Sequence, residues 1–173
     1  MKRVIGFWLA ASLCLSLAYA ASNDPLTVAD YFLKLPDKYF EDPPARMLDF
    51  IKQPACGVID IRNGYISCIG DGAQPPFEVA LFRYRDGHAL VAVCSGELEG
   101  PESVYLDFFV AGSDGKMKKT SRSIFPIGDA GSDKGDWRFE LPRHGRTVIV
   151  RRQGSKKIQR QFAWNGEKFA EEK

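Results

Sequence analysis

Residues 77–95 read FEVALFRYRDGHALVAVCS, and their reading decides the fold. Segments 77–84 and 88–95 are rich in strand-forming residues, and Asp86-Gly87 lies between them. Asp-Gly between such runs signals a hairpin, because a two-residue type I′ turn needs positive φ at both central residues. In that register Phe77, Val79, Leu81, Leu90 and Ala92 form one face, and Ala80, Phe82, Tyr84, Val91 and Val93 the other. A strand wet on one side alternates polar with apolar. A hairpin apolar on both faces is therefore expected in the middle of the fold, where helices can cover one side and other strands the second.

Toward the N-terminus, residues 58–61 and 65–69 flank Asn63-Gly64, a second hairpin of the same kind. Ahead of it the apolar period becomes helical. Val28, Tyr31, Phe32 and Leu35 share one face of a helix predicted over 25–35, with Thr27 as N-cap, Asp30 in the first turn and Pro36 as the stop. Met47, Leu48, Phe50 and Ile51 mark a second helix over 45–53. Toward the C-terminus, strands are predicted over 104–111, 118–125, 137–141, 147–151 and 157–164, with Asn165-Gly166 turning toward Phe169. Short turns between successive strands favour a meander. The expected fold class is α+β, with two short N-terminal helices packed on a curved, mostly antiparallel meander sheet or partial barrel of about eight strands.

The first twenty residues follow the export pattern. Lys2 and Arg3 precede an apolar run over 4–17, and Ala18-Tyr19-Ala20 supplies small residues at the −3 and −1 positions of a cleavage site. The run is shorter than the roughly 18–20 residues of a spanning helix, and Cys14 lies inside it behind a large Leu13, unlike an acylated cysteine. The expectation is a signal peptide over 1–20, a single domain over 21–173, and a periplasmic or secreted location with no transmembrane segment after cleavage.

Lys2 and Arg3 account for the formal charge of +2, so the remainder is neutral. Its charge is uneven, acidic over 21–113 and basic over 114–173. Either the two halves fold against each other, or the basic half faces an anionic partner. Cys56, Cys68 and Cys94 follow the leader, and in an oxidising compartment two of them pair. A two-residue turn at Asn63-Gly64 sets Ile59 opposite Cys68 and turns Cys56 to the other face, which makes a Cys56–Cys68 bridge awkward. Cys68–Cys94 is the expected disulfide.

The sequence holds no nucleophile elbow, zinc-protease, P-loop or dinucleotide motif. With no CxxC and only His88 and His144, neither of them at zinc-ligand spacing from a cysteine, no zinc site is expected and no cofactor is implied. Asp60 and Asp107 stand out as acids inside apolar strands, and a hydrolase would need two of Asp60, Asp107, His88 and His144 to converge. Asp71 reads as a turn residue, while Asp129, Asp133 and Asp136 share a loop that could hold calcium weakly. Arg151, Arg152, Lys156, Lys157 and Arg160 are the candidate binding residues. They suit either an anionic partner or protection of a sheet edge. Nucleic acid is not an expected partner, since the exported chain is neutral and lacks stacking motifs.

The sequence therefore points to an exported, non-catalytic module that binds a protein or an envelope component. The alternatives are a carrier of a small apolar ligand within a curled sheet and a hydrolase of unfamiliar type.

Overall fold

Every residue over 89–94 is buried, and the architecture follows from covering both sides of that strand. The computed structural model describes residues 26–70, 72–73, 75–96, 105–127 and 137–172. Two antiparallel sheets are formed. Sheet A is a meander of β1 (Gly57–Asp60), β2 (Tyr65–Cys68), β3 (Phe77–Arg83), β4 (Ala89–Ser95), β5 (Tyr105–Ala111) and β6 (Met117–Lys119). Sheet B comprises β7 (Trp137–Glu140), β8 (Thr147–Arg152), β9 (Ile158–Trp164) and β10 (Phe169–Glu171), in the order β10-β9-β8-β7. Helices α1 (Val28–Phe32) and α2 (Pro44–Ile51) precede sheet A, and a 3₁₀ turn at Arg122–Ile124 follows it. The expected leader over 1–20 with Cys14, the turn residue Asp71, and the Asp129, Asp133 and Asp136 loop lie outside the described residues.

Thr27 caps α1 through a reciprocal pair: the Asp30 N–H donates to Thr27 Oγ1 and the Thr27 N–H donates to Asp30 Oδ2. The helix is shorter than the predicted 25–35, because after Phe32 the bonds tighten to three-residue spacing (Lys34 N–H to Tyr31 O, Leu35 N–H to Phe32 O). In α2, Pro44 occupies the first turn, and Met47, Leu48 and Ile51 are buried.

The helices cover one face of sheet A. Phe32 stacks on Phe77 at 5.9 Å between ring centroids, Phe40 lies 4.8 Å from Phe77, and Tyr39 meets Phe109 edge-on at 5.0 Å. α2 lies close on β1 because position 57 is glycine: a Cβ there would collide with the Ser67 carbonyl and come within 2.9 Å of Ile51 Cγ2. Sheet B covers the other face. Phe169, fully buried, touches Phe82, Phe108, Phe125 and Trp164 at 5.0–5.5 Å.

The single meander or partial barrel of about eight strands is thus replaced by two separate sheets with more strands, and no barrel closes. The strand expected over 118–125 breaks after Lys119. Ser121 caps the 3₁₀ turn there, and Phe125 and Ile127 leave the ladder to fill the space between the sheets. A six-strand sheet buried on both faces cannot curl onto itself, so the remaining strands stack over it as a second layer.

Both hairpins differ from the expected register. Asp60 pairs with Tyr65, leaving a four-residue loop, so Gly57 and not Ile59 faces Cys68. In the 77–95 hairpin Arg83 pairs with Ala89, and Gly87, at φ 89°, closes a three-residue loop of Arg85, Asp86 and Gly87 within the Tyr84–His88 bonded pair. A one-residue change in loop length exchanges the faces of the return strand. Val91 and Val93 join Phe77 and Val79 under the helices, while Leu90, Ala92 and Cys94 join Ala80 and Phe82 under sheet B.

The expected Cys68–Cys94 disulfide is overturned by this exchange. Cys68 lies in the helix-side core and Cys94 in the core between the sheets, on opposite faces of sheet A, and no disulfide joins the described cysteines. Bridged cysteines need facing Cβ atoms. Iodoacetamide is expected to label Cys56 alone in the folded protein, with Cys68 and Cys94 reacting only after unfolding. Peptide mass mapping checks this, and a Cys68–Cys94 cross-linked peptide would contradict the register.

Candidate functional site

The only acid on the inter-sheet face of the 77–95 hairpin is Glu78, directly opposite Cys94. These two side chains meet the free edge of β7. Leu141 N–H donates to Glu78 Oε2 at 2.8 Å, and Cys94 Sγ donates to the Phe139 carbonyl at 3.3 Å. Sheet A thus satisfies the backbone of an edge strand of sheet B with side chains, where a closed barrel would use a ladder. Tyr65, diagonal to Glu78 across the β2–β3 pair, donates its O–H to Glu78 Oε1 at 2.8 Å.

Beside this joint lies a cleft of ≈ 280 Å³. Tyr65, Ser67, Ile69 and Pro76 border it from the β2 side, Phe77 and Glu78 from β3, and Ser95 and Gly96 from β4. Arg138, Phe139 and Glu140 of β7 complete it. Glu140 accepts from Arg151 Nε at 2.8 Å and lies 3.6 Å from Arg138 Nη2, so one carboxylate sits between two arginines paired across strands. Arg138 Nε is the buried side-chain atom among the described residues that has no hydrogen-bond partner.

Burial pushes the Glu78 carboxyl above the ordinary glutamate value against the pull of its two donors, with nearby Glu140 adding to the rise and Arg138 opposing it. Burial, and then the adjacent Glu78 charge, raise the Tyr65 hydroxyl, and burial likewise raises the Cys94 thiol. Both remain protonated at neutral pH, which makes Cys94 a hydrogen-bond donor and no nucleophile.

The acids and histidines named from sequence do not converge. Asp107 is buried on the helix side of β5 and binds the Tyr39 hydroxyl at 3.0 Å, Lys119 at 2.9 Å and Arg122 at 3.5 Å, fastening the segment after α1 to sheet A. Asp60, at the end of β1, takes Asn63 and Arg143. Asp60 and Asp107 stand on strands four steps apart in sheet A, roughly 19 Å at the usual strand spacing. His88 pairs with Asp86 in an exposed turn, and His144 is exposed in the β7–β8 loop.

The basic cluster lies on β8, β9 and their turn, which are interior strands of sheet B, so the edge-protection reading does not match the strand order. Arg151 is bound to Glu140 and to the Lys156 carbonyl. Arg152 stands over the Trp137 ring at 5.1 Å. Arg160 grips Glu171 with two bonds at 2.6 and 2.7 Å and donates to the Ile127 carbonyl. Lys156 and Lys157 are exposed in the turn. The five residues are dispersed, and Arg151 and Arg160 are engaged within the chain.

Among the described residues no three His, Cys, Asp or Glu side chains group as a metal site, and no helix is long and apolar enough to cross a membrane. Comparison with known proteins finds no matching family model, no similar curated protein and no similar solved structure.

Two predictions follow from the electrostatics. Because the folded-state pKa of Glu78 is raised, the associated stability is present below the ordinary glutamate value and is lost as pH rises through the folded one. In Glu78→Gln the amide oxygen can accept from Leu141 N–H while the amide nitrogen donates to Tyr65 Oη. That variant is expected to match or exceed the wild type in urea unfolding at pH 8, whereas Glu78→Ala, leaving two buried donors unpaired, loses about 2–3 kcal/mol. Equal losses in both variants would show that the charge itself is required. For Asp60 the sign is opposite. Asn63 and then Arg143 hold it down at about 2, so its contribution is present above the ordinary value of 3.8 and is lost between there and about pH 2. Asp60→Asn is expected to remove that part of the acid sensitivity in the same assay.

Proposed function

We propose that the chain is an exported, non-catalytic binding module of a single domain, and that its ligand sits in the cleft between the ends of β2, β3 and β4 and the free edge of β7. The cleft carries this reading. Its apolar walls and few convergent polar groups are what small-ligand sites are made of. The pattern of residues 1–20 supports export.

Three features favour binding over catalysis. Both oxygens of Glu78 already accept hydrogen bonds from the protein, so no proton on it is presented to a substrate. Cys94 is held as a thiol. The acids and histidines on which a hydrolase reading rested are held apart by their own partners. An anionic envelope partner at the basic turn would have Lys156 and Lys157 as its free cations.

Native mass spectrometry of the protein isolated from its own export compartment tests the cleft, using the wild type and Ser67→Trp, which places an indole on the face of β2 that carries Tyr65 and meets Glu78. The wild type is expected to carry a stoichiometric small species that the variant lacks, with unchanged circular dichroism. A variant that retains the species, or a wild type that carries none, would overturn the cleft as the seat.

A further inference from the structure

We infer that β1 is an interaction edge, and that its partner is the β1 of a second copy of this chain, paired antiparallel about a two-fold axis at Val58. The ladder sets which backbone groups are free. Ile69 N–H donates to the Cys56 carbonyl and Leu81 N–H to the Gly64 carbonyl, so Tyr65 and Ser67 turn their backbone groups to β1, and Ile66 and Cys68 turn theirs to β3. On β1 the bonded residues are therefore Val58 and Asp60. The N–H and C=O of Gly57 and Ile59 point outward, and among the described residues no hydrogen bond reaches them.

The other three sheet edges are guarded. On β6 the Lys34 carbonyl takes the Met117 N–H, and Lys118 and Lys119 stand on the strand. β7 is tied down by Glu78 and Cys94. β10 is 3 residues long, carries Glu171 and is flanked by Lys168 and Glu172. β1 has none of these devices. Gly57, Val58 and Ile59 are uncharged, and the Asp60 carboxylate is turned to Asn63 and Arg143. Such a row of open N–H and C=O groups is a template for another strand.

The side chains decide whose strand it is. In strand addition the main chain gives affinity, and pockets for side chains give specificity. β1 has little with which to read a foreign peptide: Gly57 has no side chain, Ile59 packs against the helix-side core, and Asp60 is engaged. Val58 remains, half-buried and outside both core clusters. A second β1 supplies its match. Setting outward groups against outward groups, the axis at Val58 pairs Gly57 of each copy with Ile59 of the other, each pair exchanging both its bonds. The two Val58 side chains then meet across the axis as a non-hydrogen-bonded pair, the arrangement in which side chains lie closest. This contact uses the same patch twice and closes at two copies, joining two 6-stranded sheets edge to edge. Two rungs make a small interface, so the dimer belongs with weak, transient ones.

Sedimentation analysis of the protein isolated from its own export compartment, from about 1 μM to about 1 mM, tests this beside amide hydrogen exchange at both ends of the range. The mean mass is expected to rise toward that of two chains and no further, and the Gly57 and Ile59 amides to exchange more slowly at the high end. Val58→Lys sets two ammonium groups across the axis. It is expected to abolish the dimer with circular dichroism unchanged, while Val58→Thr, which keeps the branched shape, retains it. A wild type that stays monomeric throughout, a mass that climbs past two chains, or a dimer that survives Val58→Lys would overturn the inference. So would protection gained at Phe169 and Glu171 or at Lys119 in place of Gly57 and Ile59, since the contact would then lie on another edge. Slow exchange of Gly57 and Ile59 in a monomer that carries a co-isolated peptide would assign the edge to a foreign strand, and the second copy fails.

Discussion

A strand with no wet face governs this structure. Over 89–94 the chain offers six consecutive buried side chains, and neither a helix layer nor a second sheet alone can cover both sides of them. The helices take the face carrying Val91 and Val93, and sheet B takes the face carrying Leu90, Ala92 and Cys94. The layers therefore follow chain order: helices, sheet A, sheet B. The acidic first half supplies the helices and most of sheet A, and the basic second half supplies sheet B. Asp60–Arg143, Asp107–Lys119 and Asp107–Arg122 cross between the halves, each with its acid in the first and its base in the second. The charge asymmetry of the sequence thus serves partly as complementarity inside one molecule, though exposed pairs of this kind contribute little each.

Stacking two sheets leaves edges that a barrel would not have. On β7 the molecule answers with side chains, a carboxylate for an N–H and a thiol for a carbonyl, both from one cross-strand pair on sheet A. The same substitution of side chain for ladder opens the cleft, because side chains hold the strands farther apart than backbone bonds would. Glu78 is consequently both a structural tie and a wall of the site. Its raised affinity for a proton comes from burial in that joint, which its two donors offset only in part.

Much of this was legible in the sequence. The two-sided apolar hairpin over 77–95 follows from its period and composition, and the pairing of Thr27 with Asp30 from their three-residue spacing. The turn lengths did not. Asp-Gly suits a two-residue turn and the end of a three-residue one equally, since each places glycine at positive φ, yet the choice moves Cys94 to the opposite face. Strand order was also invisible, because an alternating pattern is the same at an edge and in the interior, and so the basic cluster on β8 and β9 suits an anionic partner or an edge equally well in sequence. The signal for the site was present in Glu78, a charge inside a strand otherwise dry on both sides. Its partner Leu141, however, lies 63 residues away, beyond the reach of local pattern.

The position of Phe169 bears on how the molecule assembles. It is the ring on which Phe82, Phe108, Phe125 and Trp164 converge, and it belongs to the last strand. A chain folding from its first residues can pair β1 to β6 and dock the helices while the second face of that sheet is still bare. Contacts between Phe82 and Phe169 span most of the described chain, and such distant pairings form late. Until they form, the molecule presents a broad aromatic sheet surface to its surroundings, the kind of intermediate that self-associates. The cover is thus made after the sheet that it covers, and a chain held unfolded until β10 is present escapes that exposure.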